Sequence, residues 1–173
     1  MKKLLFFVSL AALLSVQFVA QSRPVAASMA TVGAGPNGYD WLIGTWSCTN
    51  KNPSPVAGPA NSTFTAARAN TGTTLLIRSK GKGFDTSSYL TYASKSKTWW
   101  APAAFADGSY EVESSTGTGN KVTFSGTYYG ASGPAMKVRD VYTLLSPTKQ
   151  NDLGQAQSGG TWKTLYDVTC TKS

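Results

Sequence analysis

Residues 39–48 read YDWLIGTWSC. In an extended chain the side chains alternate between two faces, so Leu42, Trp46 and Cys48 fall together on one apolar face. The stretch therefore predicts a half-buried strand that begins near residue 41 and carries a large aromatic anchor.

The same alternation recurs along the rest of the chain. Short runs rich in Thr, Tyr, Val and Trp are separated by Gly, Pro, Asn, Asp or Ser about every ten residues, and helical periodicity is almost absent. We predict strands at residues 41–50, 61–69, 73–80, 86–93, 97–103, 108–115, 121–129, 136–145, 149–157 and 161–171. The pattern indicates an all-β domain over residues 39–173, folded as a single antiparallel up-and-down β-barrel of 8–10 strands.

The two cysteines lie near the two ends of this predicted domain. Cys48 belongs to the first strand and Cys170 to the last, and both fall on apolar faces. Closure of a barrel makes the first strand a neighbour of the last, so the fold predicts a disulfide between them. Two separate buried thiols are the alternative. A redox pair is disfavoured because the chain has no C-x-x-C motif.

The first 27 residues have the features of a secretory signal peptide. Two lysines precede an uncharged apolar run over residues 4–16, and this order of charge and hydrophobicity directs export. A membrane anchor is the alternative, but a span needs about 20 apolar residues, and polar residues interrupt this run. We expect cleavage after Ala27, a flexible linker over residues 28–38, and a periplasmic or extracellular mature protein without a stable membrane span.

The composition excludes several classes of active site. The chain has no histidine and only two cysteines, which rules out Ser-His-Asp triads, histidine-ligated zinc or haem, and four-thiolate metal sites. There are 16 Lys and Arg against 8 Asp and Glu, but the densest basic cluster, Arg78, Lys80 and Lys82, is too sparse for a nucleic-acid surface. We predict no cofactor, no metal and no nucleic-acid partner.

The alternation also assigns the residues that face the barrel interior. The predicted ligand-binding set consists of aromatic residues and one carboxylate: Phe64, Tyr110, Phe124, Tyr128, Asp140 and Tyr142. Asp140 is unusual because it falls on an otherwise apolar face, where a carboxylate is costly unless it is paired. It therefore either pairs with Arg68 or Arg78 or binds a ligand.

Two pairs of residues close together in sequence are candidates for chemistry. Glu111 and Glu113 share one face of a strand, but with Tyr110 inward that face is solvated, which favours a structural role over catalysis. Trp99 and Trp100 point to opposite faces, so at least one of them belongs to the core or to the barrel wall. Neither pair is predicted to form a catalytic site.

The opening stretch resembles the signature of a known superfamily. Gly44-Thr45-Trp46 is similar to the Gly-x-Trp motif that opens the first strand of the calycins, which include lipocalins, fatty-acid-binding proteins and nitrobindins. Residues 41–46 resemble most closely the nitrobindin-like proteins and a bacterial family of exported lipocalin-like domains. The resemblance implies a barrel in which Trp46 packs across a closed end, Gly44 permits a bend, and the interior holds a small apolar ligand.

Two features of these relatives are missing from this chain. Lipocalins place an arginine of the last strand against the motif tryptophan, and residues 161–171 offer only Lys163. Nitrobindins bind haem through a histidine, and this sequence has none. The resemblance therefore extends to the fold and not to haem chemistry.

Three functions are compatible with these observations. The first is a non-enzymatic exported barrel that binds a small apolar or amphipathic ligand. The second is a structural or interaction domain whose barrel is filled by its own aromatic side chains. The third is an isomerase or hydrolase that uses Asp140 and a tyrosine as acid and base. The size and chemistry of the barrel interior distinguish these functions.

Overall fold

The computed structural model describes residues 33, 35–54, 57–70 and 72–173. The predicted signal peptide and the first part of the predicted linker lie outside the described residues. No helix among the described residues has the length and apolar character needed to cross a membrane. A short 3-10 helix, Asp40–Leu42, precedes the strands.

Ten strands follow one another along the chain. They are β1 (Gly44–Asn50), β2 (Asn61–Arg68), β3 (Thr74–Gly81), β4 (Phe84–Ala93), β5 (Thr98–Phe105), β6 (Tyr110–Ser115), β7 (Lys121–Tyr129), β8 (Met136–Ser146), β9 (Lys149–Ser158) and β10 (Thr161–Lys172). Each strand pairs with its neighbours in sequence, and β1 pairs antiparallel with β10, which closes the sheet into a barrel. The predicted all-β, up-and-down antiparallel barrel is confirmed.

A disulfide joins the first strand to the last. Cys48 and Cys170 are direct partners in the β1–β10 register, and their Cα atoms are 4.0 Å apart. Both residues are buried, in agreement with the apolar faces assigned from the sequence. The predicted disulfide is confirmed, and it crosses the pair of strands that closes the barrel.

An aromatic core fills the end of the barrel that carries the 3-10 helix. Trp46 is fully buried there, and its indole Nε1 donates a hydrogen bond to the carbonyl of Leu42 at 2.8 Å. The Trp46 ring stacks on Phe64, with 5.5 Å between the ring centroids. Trp99 is buried in the same core, whereas Trp100 is 45 % exposed. The two neighbouring indoles therefore face opposite ways, as the alternation predicted.

A lysine of the last strand packs against this core. The Nζ atom of Lys172 lies 5.4 Å from the centre of the Trp46 ring and donates a hydrogen bond to the carbonyl of Trp41. Gly44 has a φ of +128°, and a Cβ atom added there would lie 2.9 Å from Cε of Lys172. Both facts require glycine at this position. The predicted last strand ended at residue 171 and so missed the cation that lies over Trp46.

Candidate functional site

Strand β6 turns its glutamates toward the barrel interior, which reverses the prediction for this strand. Glu113 is 3 % exposed, whereas Tyr110 is 48 % exposed on the outer face. The prediction assumed that the more apolar face of the strand is buried. The register decides otherwise, because Glu113 pairs with Gly126, which continues the buried row of Phe124 on β7. Tyr110 therefore does not line the interior, and the solvated face predicted for Glu111 and Glu113 is wrong.

Three carboxyl groups meet in the interior and form what we call the carboxyl cluster: Glu111, Glu113 and Asp140. One carboxylate oxygen of each lies within 4.8 Å of the others. Asp140 is only 7 % exposed. Gly126 of β7 lies between Glu113 of β6 and strand β8, and it places no side chain between the carboxyls of Glu113 and Asp140. A Cβ atom at Gly126 would lie 1.9 Å from the Val112 carbonyl oxygen. A glycine within a strand marks such a close approach.

Tyr166 of β10 reaches the cluster from the other side. Its hydroxyl donates a 2.7 Å hydrogen bond to Oδ1 of Asp140. Gly154 of β9 is the cross-strand partner of both residues and lies between them. A Cβ atom at Gly154 would lie 2.1 Å from the Tyr166 ring, so the ring occupies the space that a side chain would need. Glycine at this position therefore allows the tyrosine to cross β9 and orient the Asp140 carboxylate.

We expect Gly154→Ala to lower the free energy of unfolding by about 1–3 kcal/mol, because the added methyl group must displace the buried tyrosine ring. Denaturation in urea measures this cost. In a Tyr166→Ala background the same change is expected to be nearly neutral, since the ring that clashes is gone. Gly72→Ala is a matched control, because the nearest atom to its new Cβ would be 3.8 Å away. An equal cost of Gly154→Ala in both backgrounds would contradict this account.

A fourth acidic residue lies beside the cluster. Asp152 of β9 is the register partner of Tyr142 of β8. Burial raises the pKa of the Asp152 carboxyl well above its usual range, and the nearby charges of Asp140 and Glu111 raise it further, while a hydrogen bond from Tyr142 acts against them. Its Oδ1 atom has no hydrogen-bond partner. The barrel interior thus holds a fourth carboxyl group beside the three of the carboxyl cluster.

Burial raises the pKa of every carboxyl in the cluster. The pKa of Glu113 rises to about 10, because the group is desolvated and because Asp140, Glu111 and Asp152 add negative charge nearby. The pKa of Glu111 rises to about 8 through burial and the charge of Asp140. Burial also raises the pKa of Asp140, but hydrogen bonds with Tyr166 and Glu113 oppose this and hold it at about 6. Asp140 is therefore the first of the three to ionise, and both glutamates keep their protons at neutral pH.

No ion pair within the described part of the chain includes a cluster carboxyl. Arg68, one predicted partner of Asp140, pairs with Asp40 at the closed end, and Arg78 is exposed on the outer face of β3. The predicted arginine pair for Asp140 is therefore wrong, because one arginine lies too near the closed end and the other points outward. Oε1 of Glu113 also lacks a hydrogen-bond partner although the residue is almost fully buried.

The wall opposite the cluster is built from small side chains. Six interior positions on β2 to β5 carry serine, threonine or alanine: Ser62, Ser79, Thr86, Ser88, Ala101 and Ala103. All six keep partial solvent exposure although they lie on interior rows. We call the part of the barrel interior where these partly exposed side chains lie, between the aromatic core and the far end, the lumen. Two concavities of about 500 and 380 Å³ lie elsewhere, beside the β1–β2 connection, and contain none of the cluster residues.

The predicted ligand-facing residues fall in three places. Asp140 and Tyr142 line the lumen at the cluster, and Phe124 forms its floor, with 5.7 Å between the ring centroids of Phe124 and Tyr142. Tyr128 lies nearer the far end, opposite Glu111 in the register. Phe64 lies deeper, within the core, and Tyr110 lies outside the barrel.

Four residues of the site were missed by reasoning from the sequence: Glu111, Glu113, Asp152 and Tyr166. The signal that marks them is the pair of glycines on the interior rows of β7 and β9, Gly126 and Gly154. In a strand, glycine weakens packing and is expected where another group approaches closely. Both glycines here lie next to the residues that the prediction left out.

The fold and the site define a closed, ten-stranded antiparallel barrel with an acidic interior. No protein-family model matches the sequence, and no curated protein matches it either. Among solved structures, the crystal structure of Rv2717c from M. tuberculosis is similar, with a TM-score of 0.53 and 12% sequence identity. The match covers 77% of this chain and 93% of that chain. At this identity the similarity establishes a shared barrel fold.

Proposed function

We propose that this protein is an exported, calycin-like barrel that binds a small amphipathic molecule in its lumen without transforming it. The observation that carries the proposal is the Oε1 atom of Glu113, which is buried beside two other carboxyls and has no hydrogen-bond partner among the described residues. A buried polar group without a partner costs free energy, and a ligand that supplies the missing hydrogen bond removes that cost. The Cys48–Cys170 disulfide is compatible with an oxidising, exported location.

The lumen offers a different surface to each end of such a ligand. Phe124 and the ring of Tyr142 provide an apolar floor, and Tyr128 packs against Phe105 nearer the far end, with 5.8 Å between the ring centroids. Asp140 and its neighbours provide the polar contacts. A ligand with an apolar body and one polar end therefore fits this surface better than a purely apolar molecule.

We expect the mature protein to bind the neutral dye Nile red saturably, with one site and micromolar affinity, since apolar burial contributes about 25 cal/mol per Å² before the cost of association. Fluorescence titration measures the binding. Tyr128→Lys should abolish it, because it replaces an aromatic wall of the lumen with a charged group opposite Glu111. Tyr129→Lys is the matched control, because the adjacent side chain is exposed on the outer face. Absence of saturable binding would favour a structural domain with a self-filled barrel.

One observation favours a second candidate, an enzyme that transfers protons. The pKa values of Glu113 and Asp140, about 10 and about 6, give the site a proton donor and a proton acceptor at neutral pH. Tyr166 is hydrogen-bonded to the acceptor. The two functions are separated by incubating the molecule that copurifies with the protein, as identified by mass spectrometry, with fresh protein. Chemical change that is lost in Asp140→Asn would identify an enzyme, whereas recovery of the molecule unchanged would identify a binding protein.

A further inference from the structure

Three of the strands that surround the cluster contribute acidic groups to the lumen. Glu111 and Glu113 come from β6, Asp140 from β8 and Asp152 from β9. The remaining titratable groups there are the hydroxyls of Tyr128, Tyr142 and Tyr166 on β7, β8 and β10. Among the described interior rows, the cation nearest the far end is Lys163, which is opposite Ala156 and is exposed. The carboxyl groups are thus concentrated at mid-depth, where no basic side chain of the described residues pairs with them.

We propose that the polar end of the lumen ligand is a primary ammonium group, which binds between Glu111, Glu113 and Asp140. This inference rests on the proposed function, because it names the chemical class of the molecule that the lumen binds. The second observation beside the acidic cluster is the Oε1 atom of Glu113, which is unpartnered although the residue is 3 % exposed. An ammonium group donates a hydrogen bond to such an atom and also balances the charge of the ionised Asp140 beside it.

The spacing of the carboxyls suits an ammonium group. An ammonium of a ligand has three N–H donors, and acceptors placed around it at about 2.8 Å in tetrahedral directions are about 4.6 Å from one another. The oxygens of Glu111, Glu113 and Asp140 lie within 4.8 Å of one another. The three carboxyls are therefore close enough together for one ammonium group to contact an oxygen of each.

The surroundings of the cluster also favour an organic cation. The rings of Phe124 and Tyr142 lie next to each other below the cluster, and Tyr166 is held against Asp140 by its hydrogen bond. Aromatic faces attract cations, and they also bury the carbon atoms attached to an ammonium nitrogen. A hydrated metal ion gains less from such a wall, because it requires oxygen ligands on all sides.

The order in which the three carboxyls lose their protons favours a ligand with a single positive charge. At neutral pH Asp140 is ionised while Glu111 and Glu113 keep their protons, since burial raises the pKa of these glutamates to about 8 and about 10. One carboxylate balances one ammonium group. A divalent metal requires a second carboxylate, which must lose its proton against desolvation. The cluster is therefore matched to a monocation in the neutral range.

Three fluorescent probes with the same body test the inference: dansyl-1,8-diaminooctane, its N-acetyl derivative, and dansyl-8-aminooctanoic acid. We expect the free amine to bind at least ten times more tightly than the neutral and the anionic probe at pH 7.5. Below pH 6 its affinity should fall about tenfold per pH unit, because a proton then competes for Asp140. Asp140→Asn should remove the preference for the amine. Asp85→Asn is the matched control, because that carboxylate is exposed on β4 and pairs with Lys80.

The outcomes separate this inference from the proposed function. Equal binding of the amine and its acetyl derivative would overturn the ammonium assignment and leave the lumen as a binding site. Failure of all three probes and of Nile red would overturn both. Stoichiometric Tb³⁺ or Ca²⁺ binding at pH 7 that displaces the amine would overturn it in favour of a metal site. If Asp140→Asn does not fold, Glu113→Met provides the second variant, because it removes both acceptor oxygens of Glu113, and an unchanged amine preference there would contradict the assignment.

Discussion

Removal of the Cys48–Cys170 disulfide by replacing both cysteines with alanine is expected to lower the free energy of unfolding by about 4–5 kcal/mol. The bridge spans 122 positions of the chain, so it constrains nearly the whole unfolded domain. It also crosses β1 and β10, the two strands that close the barrel although they are far apart in sequence. Alanine is the suitable replacement because both cysteines are buried, and a serine hydroxyl there would need a partner.

Urea denaturation of the variant, of oxidised wild type and of wild type reduced with dithiothreitol measures this effect. The reduced protein and the variant should unfold at the same lower midpoint, because both lack the same constraint. Equal midpoints for oxidised and reduced wild type would contradict the prediction. Hydrogen exchange adds a local test, since the β1–β10 ladder should lose protection before the ladder between β8 and β9.

Most of the fold follows from two features of the sequence. The period of two and the regular spacing of turn residues predict the strands, and the cysteines on the apolar faces of the terminal strands predict closure. The errors lie at strand ends. The first strand was predicted from residue 41, but residues 40–42 form a 3-10 helix, and the strand begins at Gly44 with a positive φ. The bend lies against Lys172, which is 128 residues away, and such a contact cannot be found from local sequence.

The site was predicted less completely than the fold. Alternation sorts the residues of a strand into two faces, but hydrophobicity then decides which face is buried. On β6 that rule fails, because Glu113 is inside and Tyr110 outside. Asp140 correctly indicated the position of the site, since a carboxylate on an apolar face requires a partner. Its partners are a tyrosine and two carboxyls rather than an arginine, and only the register across Gly126 and Gly154 brings them together.

Because of this acidic interior, we expect the stability of the protein to fall as the pH rises toward neutral. A group whose pKa is raised on folding stabilises the native state below its unfolded pKa, and this stability is lost as the pH rises toward the folded value. Glu113 has an ordinary pKa of 4.5 and a folded value of about 10. The native state therefore holds at least one extra proton between pH 5 and pH 8. For each such proton, the free energy of unfolding falls by about 1.4 kcal/mol per unit of increase in pH, or by about 4 kcal/mol from pH 5 to pH 8.

The carboxyls of Asp107 and Asp167 have the opposite effect on the pH dependence of stability, but only at a pH below this interval. The pKa of Asp107 is lowered by hydrogen bonds with Ser109, and that of Asp167 by its hydrogen bonds with Lys51 and Asn151. The stability that they contribute is present above their ordinary pKa of 3.8 and is lost only in more acidic solution. The empty barrel should therefore be most stable near pH 4–5, and it should weaken steadily toward neutral and alkaline pH.

Urea denaturation at pH 5, 6, 7 and 8 measures this slope directly. We expect the free energy of unfolding to fall at each step in the wild type, and to fall less steeply in Glu113→Gln, because the amide cannot lose the proton that the native state retains. Asp85→Asn should keep the wild-type slope, since that carboxylate is exposed and lies outside the barrel. Stability that rises from pH 5 to pH 8 in the wild type would contradict the burial of an uncompensated acidic cluster. A bound amine should flatten the slope as well, because its positive charge lowers the pKa of the carboxyls that the empty lumen keeps protonated.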